Sequence, residues 1–209
     1  QQGQIKRFER KELSPWRTYR SKSTKYAKLK DQDDRIVAVA PVVLEDIMII
    51  TKNGYGLRFN VEEVPVVGAK AAGVKAINLK DGDQVAAAFK STTPSMYILT
   101  QRGSLKRMLQ DDIPVTSRAK RGLQVLRELK NKPHRVFKAG PVFTDQGDFD
   151  LFTSQEEVAE QDQILQITST TGQVTEVDLT QLSISERTSN GSFVNDTISD
   201  QEVFSATIK

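Results

Sequence analysis

Basic side chains recur at a fixed distance after a glycine, and their spacing suggests a chemical task. Lys6–Arg7 follows Gly3, Lys106–Arg107 follows Gly103 at the same distance, and Arg58 holds the arginine position in another copy. Ammonium and guanidinium groups neutralise phosphates and release counterions, which drives sequence-independent binding to nucleic acid. The pattern therefore predicts a nucleic-acid contact, with an ordinary solvated charged face as the alternative.

Charge is distributed unevenly along the 209 residues, whose formal net charge is +3. Residues 1–30 and 101–140 each carry a net charge of +8, whereas residues 141–209 carry −11. Because a polyanion responds to the local field, two basic blocks and an acidic end matter more than the total. A residue type placed once per repeat falls on one edge of a ring of repeats, so the basic residues are predicted to form a continuous belt.

The sequence contains no constellation that supports catalysis or a metal site. His134 is the only histidine, lies among Lys and Arg, and is expected at the surface. The segment DQGDFD at 145–150 lacks the ligand spacing of a calcium loop and indicates an acidic turn. The absence of cysteine excludes disulfides and thiolate metal sites and fits a reducing compartment. No apolar run approaches the roughly 18 residues of a membrane span, and no phosphate-binding loop is present.

The elements that position the basic residues form an internal repeat anchored on a turn glycine. The anchors are Gly3, Gly54, Gly103 and Gly172, at spacings of 51, 49 and 69 residues. Three residues before the anchor stand Thr51, Thr100 and Ser169. Five residues after it stand Phe8, Phe59, Met108 and Val177, and nineteen residues after it stand Gly73, Gly122 and Gly191. Four short strands per unit of about 50 residues predict one all-β domain, a propeller-like array of about four blades, with repeats at about 1–45, 46–94, 95–143 and 144–209.

Each repeat is predicted to begin with a hairpin and to continue into two further strands. The continuing strands are YAKL and RIVAVAPVV, VKAINL and QVAAAF, LQVLREL and RVFKAGPV, and SFVNDTI and EVFSATI. Apolar residues two and five positions after the glycine would face opposite sides of a regular strand, so we expect a bulge or sharp twist between them. If the later position faces the core, Arg7, Arg58 and Arg107 face outward. Because residue 1 falls inside the first turn, we expect a piece of a longer array.

The hairpin phrases resemble the repeat of the C-terminal domains that type IIA DNA topoisomerases carry on their A subunits. The phrases are QQGQIKR, TQRGSLKR and, in varied form, TKNGYGLRF. Four further segments are most similar to the topoisomerase IV branch of Gram-positive bacteria: RTYRSKSTKYAKLK, EEVPVVGAKAAGVKAINL, SRAKRGLQVLRELKNKPHRVF and SERTSNGSFV. The gyrase branch, whose glycine-rich basic box is not found here, stays open as an alternative.

The resemblance implies a β-pinwheel, an often open or broken ring whose complete form has five or six blades. It implies a noncatalytic domain that binds and bends double-stranded DNA on a basic rim, within an enzyme that relaxes supercoils and decatenates DNA. The rim residues it implies are Lys6, Arg7, Arg17, Arg20, Lys22, Arg58, Lys70, Lys106, Arg107, Arg118, Lys120 and Arg121.

The resemblance also implies partners and a location. The partners are duplex DNA, the ATPase B subunit, and the rest of the A subunit, with ATP and Mg used by the parent enzyme and no cofactor or metal in this domain. The location is the cytoplasm, at the nucleoid and not at a membrane. In the fourth copy Thr175 and Glu176 replace Lys-Arg, so we predict that this blade does not touch DNA. A propeller that docks proteins on acidic residues 141–209 is the second hypothesis.

Overall fold

The computed structural model describes residues 1–13, 26–29, 32–42, 44–80, 82–143, 163–194 and 202–209. Thirteen β-strands lie in these ranges, with four short 3₁₀ turns and no α-helix. The strands are β1 (Gln4–Ile5), β2 (Asp46–Thr51), β3 (Tyr55–Asn60), β4 (Val74–Lys75), β5 (Val85–Lys90), β6 (Ser95–Thr100), β7 (Ser104–Leu109), β8 (Leu123–Gln124), β9 (Val136–Val142), β10 (Ile164–Ser169), β11 (Val174–Asp178), β12 (Ser192–Phe193) and β13 (Val203–Ile208). The predicted all-β fold class is confirmed.

A hairpin opens the second, third and fourth repeats, formed by β2–β3, β6–β7 and β10–β11. In the third repeat Gly103 has φ +79° and donates its N–H to Thr100 O at 3.0 Å. Thr100 Oγ1 accepts a hydrogen bond from Ser104 N at 3.1 Å, which ties the two sides of the turn together. The left-handed backbone explains the glycine column, and the hydroxyl acceptor explains the Thr/Ser column three residues earlier.

Each later repeat lends a two-residue strand to the sheet of the repeat before it. The strand orders are β5–β2–β3–β8, β12–β7–β6–β9, β11–β10–β13 and β1–β4. β4, β8 and β12 therefore leave their own repeats and pair with β1, β3 and β7. The expected longer strands at VKAINL and LQVLREL shorten to the donated pairs β4 and β8, because only two residues lie against the preceding hairpin. Of SFVNDTI, only residues 192–194 are described, and Ser192–Phe193 form β12.

The same backbone contacts recur at all three junctions between repeats. The carbonyl of the turn glycine accepts from the next repeat at 2.8, 2.8 and 3.1 Å, with Ala76, Val125 and Val194 as donors. The carbonyl of the hairpin arginine accepts at 2.9, 2.9 and 2.8 Å, with Val67, Thr116 and Ser185 as donors. The carbonyl two residues before the glycine accepts at 2.9, 2.8 and 2.8 Å, with Val85, Val136 and Val203 as donors. The sequence repeat is therefore also a repeat of interfaces.

Three apolar cores fill the spaces between neighbouring blades. Strand β6 is buried on both faces: Met96 and Ile98 pack toward β2 and β5, while Tyr97 and Leu99 pack toward β10 and β13. Alternation with period 2 thus feeds two different cores. The bulge expected between the two apolar hairpin positions is wrong, because the β6–β7 register is regular and the two faces serve different blades.

The segments YAKL and RIVAVAPVV of the first repeat do not form strands where they are described, residues 26–29 and 32–42. Ile36, Val39 and Val42 are exposed there, and no described strand pairs with them. β-propensity without a partner strand does not produce a strand. Among the described residues, no helix has the length and apolar character needed to cross a bilayer.

Candidate nucleic-acid interface

The Lys106 ammonium is enclosed by backbone carbonyls of two repeats. Lys106 is 2% exposed, and its Nζ donates to Val125 O at 2.6 Å, Arg187 O at 2.6 Å and Ser189 O at 2.9 Å, with Glu186 O at 3.4 Å. Burial lowers the pKa of Lys106 to about 7, with a further lowering from the Arg187 guanidinium and an opposing effect of Asp112. This ammonium joins the third repeat to the fourth.

Lys6 makes the equivalent contact at the first junction. Its Nζ donates to the carbonyls of Tyr26 at 2.8 Å and Ala71 at 3.0 Å, and also to that of Ala69. Burial lowers the pKa of Lys6, and the Glu12 carboxylate opposes this. Carbonyl oxygens are good acceptors for an ammonium, so both lysines act as connectors between repeats.

The middle junction lacks the lysine and is closed by backbone alone. Leu57 stands at the lysine position, and Ala119 donates its N–H to Ala76 O at 2.6 Å. Ala119 adopts φ +65° to do this, a conformation that L residues other than glycine seldom take. The Ala76 carbonyl is equivalent to the Val125 carbonyl that binds Lys106, and here it accepts its hydrogen bond from loop 116–121 instead of from a lysine.

The hairpin arginines also contact the next repeat. Arg107 donates from Nε to Ser95 Oγ at 2.9 Å and from Nη1 to Thr180 O at 2.7 Å, and Arg7 donates from Nε to Val64 O at 2.6 Å. Arg58 binds two carboxylates instead, Asp46 at 3.1 Å and Asp111 at 2.6 Å. The charge of Arg58 is therefore compensated within the protein.

The expectation that the three arginines simply face outward is wrong. They are half-buried between repeats, because the next repeat's 3₁₀ turn or its flanking residues cover them. The apolar position five residues after the turn glycine does face the core in the second and third repeats, since Phe59 and Met108 are fully buried. A DNA-contacting role for Lys6, Arg7, Arg58, Lys106 and Arg107 stays a prediction, and their contacts within the protein hold the array together.

The loops that follow the hairpins form a line that we call the loop edge, comprising residues 68–72, 116–121 and 185–190 together with the neighbouring segments 75–78 and 124–127. Loop 116–121 lies against the second repeat, where Asn78 N donates to Lys120 O at 2.8 Å and Arg118 Nη1 to Lys75 O at 2.8 Å. Loop 185–190 lies likewise against the third repeat, where Arg127 N donates to Asn190 Oδ1 at 2.8 Å. Each of these two loops thus lies against the segment that follows the loop of the preceding repeat.

The loop edge presents basic side chains of three kinds. Lys70 and Lys120 are exposed, and Lys120 Nζ donates to Thr116 Oγ1 of its own loop at 2.6 Å. Arg118 is half-buried and holds Glu63 O at 3.1 Å. Arg121 stacks on the Tyr55 ring, with the guanidinium carbon 4.3 Å from the ring centroid. Four predicted residues therefore lie together on one edge.

Two further residues of the loop edge are not among the predicted rim residues. Lys75 and Arg127 are exposed beside the loops, but they lie outside the loop columns, at non-equivalent offsets from their glycines. The role of Tyr55 as the surface on which Arg121 rests carried no sequence signal either. The predicted residues Arg17, Arg20 and Lys22, like the calcium-loop-like segment 145–150, lie outside the described residues.

The fourth repeat differs in charge from the other three. Glu176 occupies the arginine position, and its carboxylate accepts from Gln166 Nε2 at 2.9 Å and from Lys209 Nζ. These hydrogen bonds, the one from Lys209 foremost, lower the pKa of Glu176. The described residues contain no cluster of three or more His, Asp or Glu side chains able to hold a metal ion.

The expectation that His134 lies at the surface is wrong. His134 is 6% exposed, with Nδ1 3.1 Å from Thr100 Oγ1 and Nε2 3.2 Å from Arg102 Nη1. Phe193 of the donated strand β12 covers it, with ring centroids 6.1 Å apart. The hydroxyl of the hairpin threonine gives the imidazole a buried partner that its basic sequence context did not suggest.

Acid is expected to destabilise the protein through His134. Burial, followed by the Arg102 charge, lowers the pKa of His134 below its ordinary 6.5, so the unfolded chain takes up the proton first as the pH falls. The free energy of unfolding should therefore decrease as the pH drops below about 6.5. Urea unfolding at pH 7 and pH 5 measures this, and His134→Gln should weaken the dependence. An equal decrease in the variant would contradict the assignment.

The strand-exchanging sheets and their repeated junctions define a propeller-like repeat domain. The chain belongs to the family described as DNA gyrase C-terminal domain, beta-propeller, whose model matches residues 1–42, 45–92 and 95–142. The family resemblance seen in the hairpin phrases is thus confirmed.

Relatives place the chain near one branch of this family. It is 63% identical over 208 residues to the A subunit of DNA topoisomerase 4 from Streptococcus pyogenes serotype M3, a match that covers 99% of this chain and 25% of the relative. It is also 63% identical over 204 residues to the protein of the same name from Streptococcus pneumoniae serotype 4, covering 98% of this chain and 24% of the relative. The chain therefore spans about a quarter of the length of these curated relatives.

A solved structure shows the same arrangement. The crystal structure of the C-terminal domain of DNA topoisomerase IV superposes with a TM-score of 0.80 at 32% identity, covering 99% of this chain and 59% of that one. The predicted likeness to the topoisomerase IV branch is confirmed by these comparisons.

Proposed function

We propose that the chain is a noncatalytic part of topoisomerase IV, carried on its A subunit, that binds duplex DNA along the loop edge and bends it. One observation carries this proposal: loop 116–121 lies against segment 75–78, loop 185–190 lies against segment 124–127, and the loop edge exposes Lys70, Lys75, Lys120 and Arg127. Such a line of cations suits the phosphate backbone and carries no base-reading pattern. Blades arranged around an axis turn a straight line of loops into a curved one, which favours bent DNA.

The parent enzyme would use this surface to hold a DNA segment near its cleavage core. The partners would then be the ATPase B subunit, together with the rest of the A subunit. The parent enzyme would require ATP and Mg and would act at the nucleoid. Supercoil relaxation and decatenation would be reactions of the whole enzyme. The role of this chain would be to bind and orient the DNA.

Duplex binding should fall steeply with salt and show little sequence preference. We expect Lys120→Glu and Lys70→Glu each to weaken binding equally on unrelated duplexes, and each to reduce the slope of log K against log salt by about 1. Fluorescence anisotropy with labelled duplexes over a salt series measures this. Energy transfer between dyes at the two duplex ends reports the bend.

Lys80→Glu is the matched control, because Lys80 is exposed before β5 and lies off the loop edge. The control should leave affinity within a small factor of the parent. No duplex binding at low salt, or equal losses in the control and in Lys120→Glu, would contradict the proposal. Arg107→Glu is unsuitable as a binding test, because it would also remove contacts to Thr180 and Leu182 of the next repeat.

A further inference from the structure

An exposed apolar side chain recurs in the column twelve residues after the turn glycine. In the three repeats where this position is described, Val66, Val115 and Ile184 occupy it and are 53%, 51% and 48% exposed. The core is already supplied from two residues earlier in the chain, where Val64 and Ile113 are buried. Single apolar residues on a surface are ordinary, but one at the same place in successive repeats forms a row along the surface.

Backbone contacts at the junctions hold this row in place. Each of its three residues forms a parallel β-bridge with the hairpin arginine of the preceding repeat, and the residue after it donates its N–H to the carbonyl of that arginine. A β-branched residue suits the extended backbone of such a bridge, and threonine satisfies this requirement as well as valine does. The bridge therefore explains the branched shape of these side chains but not why they are apolar.

At the middle junction the row adjoins the loop edge directly. Val115 precedes Thr116, and the exposed Lys120 donates from Nζ to Thr116 Oγ1 at 2.6 Å, so the ammonium group lies beside the residue that follows the valine. Asp111, which precedes the valine by four residues, forms an ion pair with Arg58 at 2.6 Å. The valine thus stands next to an exposed cation, while this nearby carboxylate is compensated within the protein.

The first junction repeats this arrangement, whereas the last one does not. Val66 stands four residues before Lys70, which is exposed in the following loop. The loop after Ile184 contains no lysine, and its Arg187 donates to a carbonyl of the third repeat. Val66 and Val115 are therefore the members of the row that have an exposed lysine in the loop beside them.

The backbone of DNA offers an apolar surface next to each phosphate. Every phosphate is joined to a sugar, which carries only hydrogen at C2′ in DNA but a hydroxyl there in RNA. A cation that binds a phosphate therefore brings its apolar neighbour within reach of the C–H edge of a deoxyribose. Against RNA the same apolar group would displace water from a 2′-hydroxyl without offering it a hydrogen bond, which is unfavourable.

We propose that Val66 and Val115 contact deoxyribose edges of the bound duplex and make the loop edge selective for DNA over RNA. Lys70 and Lys120 hold phosphates, and the two valines cover the adjoining sugars. This inference rests on the proposed function, because it gives a role to residues beside the same DNA-binding surface. The valines contribute a part of the affinity that does not follow the salt concentration, since burial of apolar surface releases no counterions.

The double variant Val66→Thr/Val115→Thr tests this selectivity. Threonine keeps the branched shape and changes no charge, but it places a hydroxyl against the sugar. Fluorescence anisotropy gives the affinities for a labelled DNA duplex and for an RNA duplex of the same sequence. We expect the parent to prefer DNA, and the double variant to lower the ratio of the two affinities about fivefold or more. The slope of log K against log salt should stay that of the parent, in contrast to Lys120→Glu.

Val174→Thr is the matched control, because Val174 is also 53% exposed but lies off the loop edge, two residues before Glu176 in the hairpin of the fourth repeat. It should leave both affinities unchanged. Thermal unfolding of the variants should match that of the parent, since the substituted side chains are exposed. Val115→Thr alone, with a smaller decrease of the same ratio, replaces the double variant if the latter does not fold.

The possible failures of this inference and of the proposed function are distinct. Equal affinities of the parent for DNA and RNA, or an unchanged ratio in the double variant, overturn the role of the valines and leave DNA binding by the lysines intact. An equal loss in Val174→Thr, or a reduced salt slope in the double variant, overturns it as well. If the parent binds neither duplex at low salt, the proposed function fails and this inference fails with it.

Discussion

Gly122→Ala is expected to lower the free energy of unfolding by about 3 kcal/mol or more. Gly122 has φ +84°, and a Cβ there would lie 2.4 Å from the carbonyl oxygen and 2.8 Å from the carbonyl carbon of Gly56. The left-handed conformation alone costs an alanine about 1–2 kcal/mol. Relief of the backbone clash requires β8 to move away from β3, which sacrifices the pairing between the second and third repeats.

Gly82→Ala separates the two contributions. Gly82 has φ +77°, nearly the same backbone, but nothing lies within 4 Å of its added Cβ. We expect a loss of about 1 kcal/mol there, from conformation alone. Chemical denaturation followed by circular dichroism compares the two variants, and proteolysis shows whether repeats separate before the whole chain unfolds. Equal losses in both variants would show that the close approach to Gly56 contributes nothing.

Lys106→Met is expected to lower the free energy of unfolding by about 2–4 kcal/mol at pH 9. At pH 9 the folded Lys106 side chain is a neutral amine with two N–H donors. Methionine fills a similar volume but has no donor, so the carbonyls of Val125, Arg187 and Ser189 lose the two N–H groups they share. Each buried acceptor that loses its partner costs about 1–3 kcal/mol, and the cost falls where it can find another. The fourth repeat should loosen first, since its loop 185–190 supplies two of the three carbonyls.

The difference in the free energy of unfolding between the wild type and Lys106→Met should shrink as the pH falls from 9 to 7. The pKa of Lys106 is about 7 in the folded chain, against 10.5 for an unperturbed lysine. Between these values the unfolded chain binds the extra proton, so the wild type gains about 1.4 kcal/mol of stability per pH unit as the pH rises. Below pH 7 Lys106 is protonated in both the folded and the unfolded chain, so it no longer contributes to the pH dependence of the free energy of unfolding.

Lys130→Met provides the control for the pH series, since Lys130 is an exposed lysine of the same repeat. Its unfolding free energy should follow the wild type at every pH. Urea unfolding between pH 6 and pH 9.5 gives the three curves. If Lys106→Met runs parallel to the wild type across this range, the buried ammonium does not titrate as its surroundings require.

The spacing of residues along the sequence was sufficient to predict the repeat and its hairpin. A glycine with φ near +80° and a Thr or Ser hydroxyl three residues before it are local requirements of one turn, so they recur wherever the turn recurs. The second glycine column, nineteen residues after the turn glycine, is also visible in the sequence, but its cause is not local. Gly122 and Gly191 are needed because a carbonyl of the preceding repeat lies 2.4 Å from where a Cβ would stand.

The sequence alone did not distinguish basic residues that are buried between repeats from basic residues that lie at the surface. Lys106–Arg107 and Lys120–Arg121 are equally basic in the sequence, and the repeat pattern predicts one rim for both pairs. Lys106 is enclosed by carbonyls of the third and fourth repeats and Arg107 donates to a carbonyl of the fourth, while Lys120 is open to solvent and Arg121 rests on Tyr55. The difference arises because a hairpin edge receives the next repeat, whereas a loop that follows it reaches the surface.

By itself, the sequence determined the all-β repeat, its turns, the family and the loss of the basic pair at Thr175–Glu176, because each of these depends on residue type at a fixed local spacing. Only the tertiary structure decided which cations are connectors and which remain for a partner. It also decided that His134 is buried. The physical reason is that burial and hydrogen-bond partners come from residues about 30–80 positions away along the chain, many of them in the neighbouring repeat, and no local pattern records them.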